Sequence, residues 1–136
     1  MARAALGLRA IGARADVLLS SPLTRARDTA RIVARAFRPR PAVRLLRPLA
    51  PGGRTAEILQ GLAALSKCQA LLLVGHEPDL SRLAAEMLLP GHVDLPIEFK
   101  KGGLCRIDFE REPRPGEGRL VFHLPPRILR RLAGGT

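Results

Sequence analysis

A chain of 136 residues, 46% of them hydrophobic, suits one domain over residues 1–136 and excludes wholesale disorder. Twenty-three Lys and Arg against 12 Asp and Glu give a net charge of +11, which attracts anionic partners. Four Phe with no Tyr or Trp leave too few rings for base stacking, so no nucleic acid is expected, and the two Cys fit neither a disulfide framework nor a zinc site.

The opening residues 2–13 set Leu6, Leu8 and Ile11 among alanines and arginines, a weakly amphipathic helix. They form no signal peptide, and no apolar run reaches the roughly 18 residues of a membrane span. The expectation is a soluble, cytoplasmic protein with no membrane partner. Asp16 to Ser20 is a short apolar run that ends in Ser-Ser-Pro, a buried strand feeding a loop. Thr24 to Phe37 carries apolar residues at helical spacing until Arg38-Pro39-Arg40-Pro41 stops it.

Val43 to Leu46 suits a short strand, and Pro48 to Gly53 a loop. Thr55 to Leu65 reads as a helix, with Ile58, Leu59, Leu62 and Leu65 on one face and Thr55 as its cap. Gln69 to Gly75 is continuously apolar, the pattern of a strand buried on both faces of a parallel sheet. Pro78-Asp79 opens a helix that runs to about Leu89 and closes at Pro90-Gly91.

The last third changes period. Gly102 to Phe109 and Arg119 to Leu124 alternate apolar and polar residues around a turn, a hairpin with one buried face. Pro125 to Leu132 adds a short basic helix. The order α-β-α-β-α-β-α-β-β-α predicts an α/β layered fold with one antiparallel margin. Such a domain rarely opens on a helix, so its first strand reads as missing.

Two strand-to-helix junctions carry chemistry. Ser21-Pro22-Leu23-Thr24-Arg25 puts a guanidinium in a helix's opening turn, where it opposes the dipole unless an anion compensates. That end already favours phosphate, and the guanidinium adds a bidentate fork. The plainer alternative is a solvated cation. Gly75-His76-Glu77-Pro78-Asp79 puts a histidine just past the carboxyl end of a buried strand, where open α/β sheets bind ligands. The alternative there is a structural histidine, and that reading is preferred for His92 and His123. The Gly52-Gly53 and Gly102-Gly103 pairs suit turns, and no phosphate-binding loop of the GK[ST] type occurs.

Together the junctions resemble a family. Ser21 to Ala30 (SPLTRARDTA) and Val74 to Ser81 (VGHEPDLS) are similar to two segments of the histidine phosphatase superfamily. The closing stretches KKGGLCRIDF and LPPRILRRL resemble its short SixA-type phosphohistidine phosphatases. The resemblance spans nearly the whole chain. It implies a three-layer phosphoglycerate mutase-like fold with a mostly parallel sheet and an antiparallel C-terminal hairpin.

It also implies a phosphohydrolase with a phosphohistidine intermediate, no cofactor and no metal, acting on a phosphorylated protein or small phosphate ester. Arg25 and His76 match residues that hold the phosphoryl oxygens; Ser21 and Thr24 would orient the arginine loop, and Glu77 is a weaker candidate at the same site. The family's nucleophile, in an Arg-His-Gly motif closing the first strand, has no match: that tripeptide is absent from the 136 residues. The expectation is a chain lacking the family's first strand and catalytically inactive as it stands. The alternatives are a non-catalytic phosphate- or phosphoprotein-binding module and, on charge alone, a nucleic-acid binder.

Overall fold

The computed structural model describes residues 1–91 and 94–134. The histidine at 92 therefore lies outside the described residues. Among the described residues five α-helices and five strands follow the predicted order. They are α1 (Ala2–Ala10), β1 (Val17–Ser20), α2 (Thr24–Ala34), β2 (Ala42–Leu45), α3 (Thr55–Ala63), β3 (Leu71–Val74), α4 (Asp79–Leu88), β4 (Leu104–Asp108), β5 (Arg119–Leu124) and α5 (Pro126–Ala133).

β1 is the centre of a parallel sheet ordered β2-β1-β3, with Leu18 opposite Val43 on one side and Leu72 on the other. β4 and β5 form a separate antiparallel ladder. Every residue of β1 is buried, because strands pair with both edges and helices cover both faces. Leu18 points into a cluster with Ala4, Leu8, Ala30, Val33, Phe37 and Leu129, drawn from α1, α2, the turn after α2, and α5. Val17 and Leu19 point the other way, against Ile58, Leu62, Leu83 and Met87 of α3 and α4. Alternation along one short strand thus seeds both cores of a three-layer α/β/α domain.

α1 and α5 lie against each other at Gly7, where a Cβ would collide with the Leu129 carbonyl; only glycine permits that approach. Asp16, just ahead of β1, accepts the N–H groups of Gln69 (2.8 Å) and Ala70 (2.9 Å) on one carboxylate oxygen. Those two bonds hold its pKa below the usual carboxylate value and fix the entry to β3 in register with β1.

Three local expectations change. Thr55 is the first helical residue of α3 rather than its cap: Arg54 holds the N-cap position, with no side-chain capping bond. Arg47–Leu49, which overlaps the start of the predicted loop, forms a 3-10 turn closed by the Ala50 N–H on the Arg47 carbonyl at 2.9 Å. β3 is parallel as expected but only half-buried along its length, in contrast to β1. Its second edge explains the difference: among the described residues β3 pairs with β1 alone.

Candidate functional site

The two junctions come together at the carboxyl ends of β1 and β3. Parallel pairing sets Ser20 opposite Val74, and the Ser21 N–H extends the ladder to the Val74 carbonyl at 2.9 Å. Ser21 follows β1 directly and His76 stands one residue beyond Gly75, so both polar side chains lie at the same edge of the sheet. His76 Nε2 lies 2.8 Å from Ser21 Oγ, a contact that spans 55 positions in sequence.

Ser21 is fully buried and its hydroxyl is held from a second side, accepting the Leu23 N–H at 3.2 Å. Ser20, equally buried, donates its hydroxyl to the Ser21 carbonyl at 2.8 Å. These bonds satisfy polar groups that would otherwise be costly inside the domain. Ser21 thus engages one ring nitrogen of His76.

Arg25, exposed on the first turn of α2, and His76, half-buried, line one cavity of about 540 Å3 between α1, α2, β3 and the segment before β4. Lys100 and Lys101 line it too. Sequence reading placed these lysines only in a stretch of family likeness. Nothing local signals that the chain folds back to set them beside His76. With Arg25 they give the cavity lining three basic side chains against the one carboxylate of Glu77, a balance that favours anions.

The other predicted residues fall around this point. Thr24 is exposed and opens α2 immediately before Arg25. Glu77 also lines the cavity, but its carboxylate is engaged elsewhere: one oxygen accepts the Ser81 N–H at 3.1 Å and the other the Ser81 hydroxyl. It therefore caps the first turn of α4, the surface role weighed against a site role for it. His123, on β5, packs its ring against Phe99 with centroids 4.8 Å apart, in keeping with a structural histidine. Among the described residues no group of His, Cys, Asp and Glu is arranged to hold a metal ion, and no helix is long and apolar enough to cross a membrane.

A hydrogen bond ties the site to its surroundings. Asp79, at the start of α4, accepts the Gly52 N–H at 2.7 Å, clasping the turn after the 3-10 segment to the loop that carries His76. Gly52 is in the left-handed region (φ +86°), so the turn suits glycine there.

No family model matches the chain. An uncharacterized protein of Picosynechococcus sp. is 35% identical over 122 residues, which cover 85% of this chain and 67% of that protein. Among solved structures, the protein histidine phosphatase SixA complexed with tungstate superposes with a TM-score of 0.79 at 24% identity, covering 94% of this chain and 80% of its own. The putative phosphohistidine phosphatase SixA from Agrobacterium tumefaciens gives 0.70 at 27% identity, covering 92% and 78%. With its three-layer fold and both family segments meeting at one cavity, the chain resembles the histidine phosphatase superfamily and is SixA-like in fold.

Proposed function

We propose that the cavity of Arg25 and His76 is the phosphoryl-binding part of a phosphohistidine phosphatase-type phosphohydrolase. The observation that carries this reading is the His76–Ser21 contact at 2.8 Å, which orients the imidazole in a cavity shared with Arg25, Lys100 and Lys101. A tetrahedral oxyanion there meets a bidentate guanidinium, one imidazole nitrogen and the free N–H groups at the start of α2. These donors are held before the ligand arrives, so they would stabilise the charge that develops on the equatorial oxygens in phosphoryl transfer.

By the family resemblance, a histidine attacks phosphorus while the bond to the leaving group breaks. Water then cleaves the phosphohistidine and releases inorganic phosphate. That nucleophile is absent from these residues, since no Arg-His-Gly occurs and His76, His92 and His123 lie in other contexts. The 136 residues therefore bind the phosphoryl group without turning it over, and turnover requires a polypeptide that adds the nucleophile. The same absence favours a second reading, a phosphate- or phosphoprotein-binding module with no catalytic role.

Tungstate and phosphate titration of the chain, with turnover of an activated aryl phosphate measured in parallel, tests this proposal. Saturable binding that weakens in Arg25→Ala and His76→Ala, with no turnover, is the expected result. A longer polypeptide that carries the nucleophile and hydrolyses the ester separates the phosphatase from the module.

A further inference from the structure

The acidic residues of this chain are unevenly placed. All twelve Asp and Glu lie between Asp16 and Glu117, so neither α1 nor α5 contains one. Those two helices carry Arg3, Arg9, Arg127, Arg130 and Arg131, all exposed. Among the described residues the ion pairs lie elsewhere, as Arg82–Asp79 at 3.4 Å and Arg106–Asp108 at 2.8 Å do. A chain that is merely rich in arginine would mix the two signs over its whole surface.

Packing turns these cations outward together. α1 and α5 meet at Gly7 and Leu129, and both bury their apolar residues in one cluster: Ala4, Ala5 and Leu8 from α1, Leu129 from α5. The opposite sides of both helices therefore face solvent. Arg3, Leu6 and Arg9, three apart, share the outer side of α1, and Arg127, Arg130 and Arg131 that of α5. A Cβ added at Gly134, just past α5, would meet the Arg3 guanidinium at 2.6 Å, so the two sets of cations adjoin. Leu6 (48% exposed) and Leu132 (40%) stand among them.

Stability accounts for part of this arrangement and leaves the rest. Arg130 and Arg131 suit the last turn of α5, where the helix dipole is negative, and Arg3 reaches the same end. Arg127 lies in the opening turn, where the dipole opposes a cation and no acid offsets it. It also repels Arg130 and Arg131 at i+3 and i+4 spacing. An anionic partner relieves both costs.

We propose that the outer face of α1 and α5 is a docking surface for an acidic polypeptide segment with apolar side chains between its carboxylates. The cations are all arginine, whose fork matches a carboxylate and which protein interfaces favour over lysine. A nucleic acid would meet the guanidiniums and leave Leu6 and Leu132 without a partner. A bilayer surface needs an apolar helix face to insert, and α1 and α5 use theirs in the core. Their inner sides, at Ala4, Ala5, Leu8 and Leu129, line the cavity of Arg25 and His76, so a docked partner lies one helix layer from the anion site. The surface itself rests on the charge distribution and not on the phosphoryl-binding reading.

A synthetic helical peptide of about four turns, with glutamates flanking two leucines, tests the surface by fluorescence anisotropy on the full 136-residue chain. Saturable binding is expected, weakened at least about tenfold by Arg127→Gln with Arg131→Gln and by serine in place of the peptide's leucines. Reversal with Arg127→Glu and Arg131→Glu is expected to switch preference to a peptide with lysines in place of the glutamates. Equal binding by the Gln variant, no switch on reversal, or tighter binding of phosphatidylserine vesicles or duplex DNA by the parent chain would overturn the proposal. So would a lower Tm in the Gln variant, since the arginines would then serve the fold. Tungstate binding is measured on the same samples; its absence in the parent chain would sink the anion site and leave the docking surface standing.

Discussion

Ser21 Oγ and His76 Nε2 lie 2.8 Å apart although their residues are 55 positions apart in the chain. The contact is a product of parallel pairing between β1 and β3: each residue follows its strand at the sheet's carboxyl edge, so fixing the register fixes the pair. Ser21 is also locked by the Leu23 N–H, which leaves its hydroxyl little freedom to choose another partner. Ser21→Ala removes one partner of a part-buried hydrogen bond, a loss of about 1 kcal/mol. Tungstate affinity is expected to fall by about fivefold while circular dichroism stays unchanged; an unaltered affinity would show that His76 is oriented by other means.

Leu18 is fully buried at the middle of the central strand and packs against α1, α2 and α5. Leu18→Ala opens a cavity that three helices share and is expected to destabilise the chain by about 2–5 kcal/mol. The exposed Leu132, truncated in the same way, is expected to change stability by no more than about 0.5 kcal/mol. Urea denaturation of both variants checks the contrast, and comparable losses would contradict the assignment of the core.

Asp16, just ahead of β1, ties that strand to the start of β3, and its two backbone hydrogen bonds hold its pKa below 3.8. A depressed folded-state pKa adds stability that is fully present above the unfolded value and is lost as pH falls through the folded one. Asp16→Asn is therefore expected to lower Tm at neutral pH, with the gap to the parent closing as pH drops below about 4. A gap that stays constant down to pH 2 would show that the carboxylate charge contributes nothing.

Cys105, on β4, faces the larger cavity, and burial pushes its thiol up to about 11 from an ordinary 9.0. At pH 8 this leaves about a hundredfold less thiolate than an unperturbed cysteine has. Iodoacetamide is expected to modify Cys105 slowly at pH 8 and to accelerate with pH up to about 11, read by mass spectrometry. Fast modification at pH 8 would mean that this face of β4 is more open than the structure has it.

The element order was legible in the sequence because each switch of hydrophobic period coincides with a turn signal. Residues 71–74 read as a parallel strand from their unbroken apolar run, and 104–108 as a hairpin strand from alternation. Arg25 and His76 were legible because each lies in a strand-to-helix junction, Arg25 in the first turn of the helix and His76 in the loop, so local order was enough to place them at one sheet edge. Lys100 and Lys101 were not, since their approach to His76 depends on the return of the chain at β4, a contact with no local pattern. The half-burial of β3 was equally hidden: composition records what a strand can bury, and only the topology shows that one of its edges faces a gap. Thr55 looked like a cap from residue type alone, yet the helix starts on it because the preceding Arg54 adopts the extended conformation of the N-cap.

The most direct test of the anion site is a tungstate titration of the 136-residue chain by calorimetry at fixed low salt, repeated for Arg25→Ala and His76→Ala. Saturable binding at one site, weakened at least about tenfold by either substitution, is the result this account predicts. Binding that persists unchanged in both variants would place the anion elsewhere on this basic surface and contradict the assignment of Arg25 and His76.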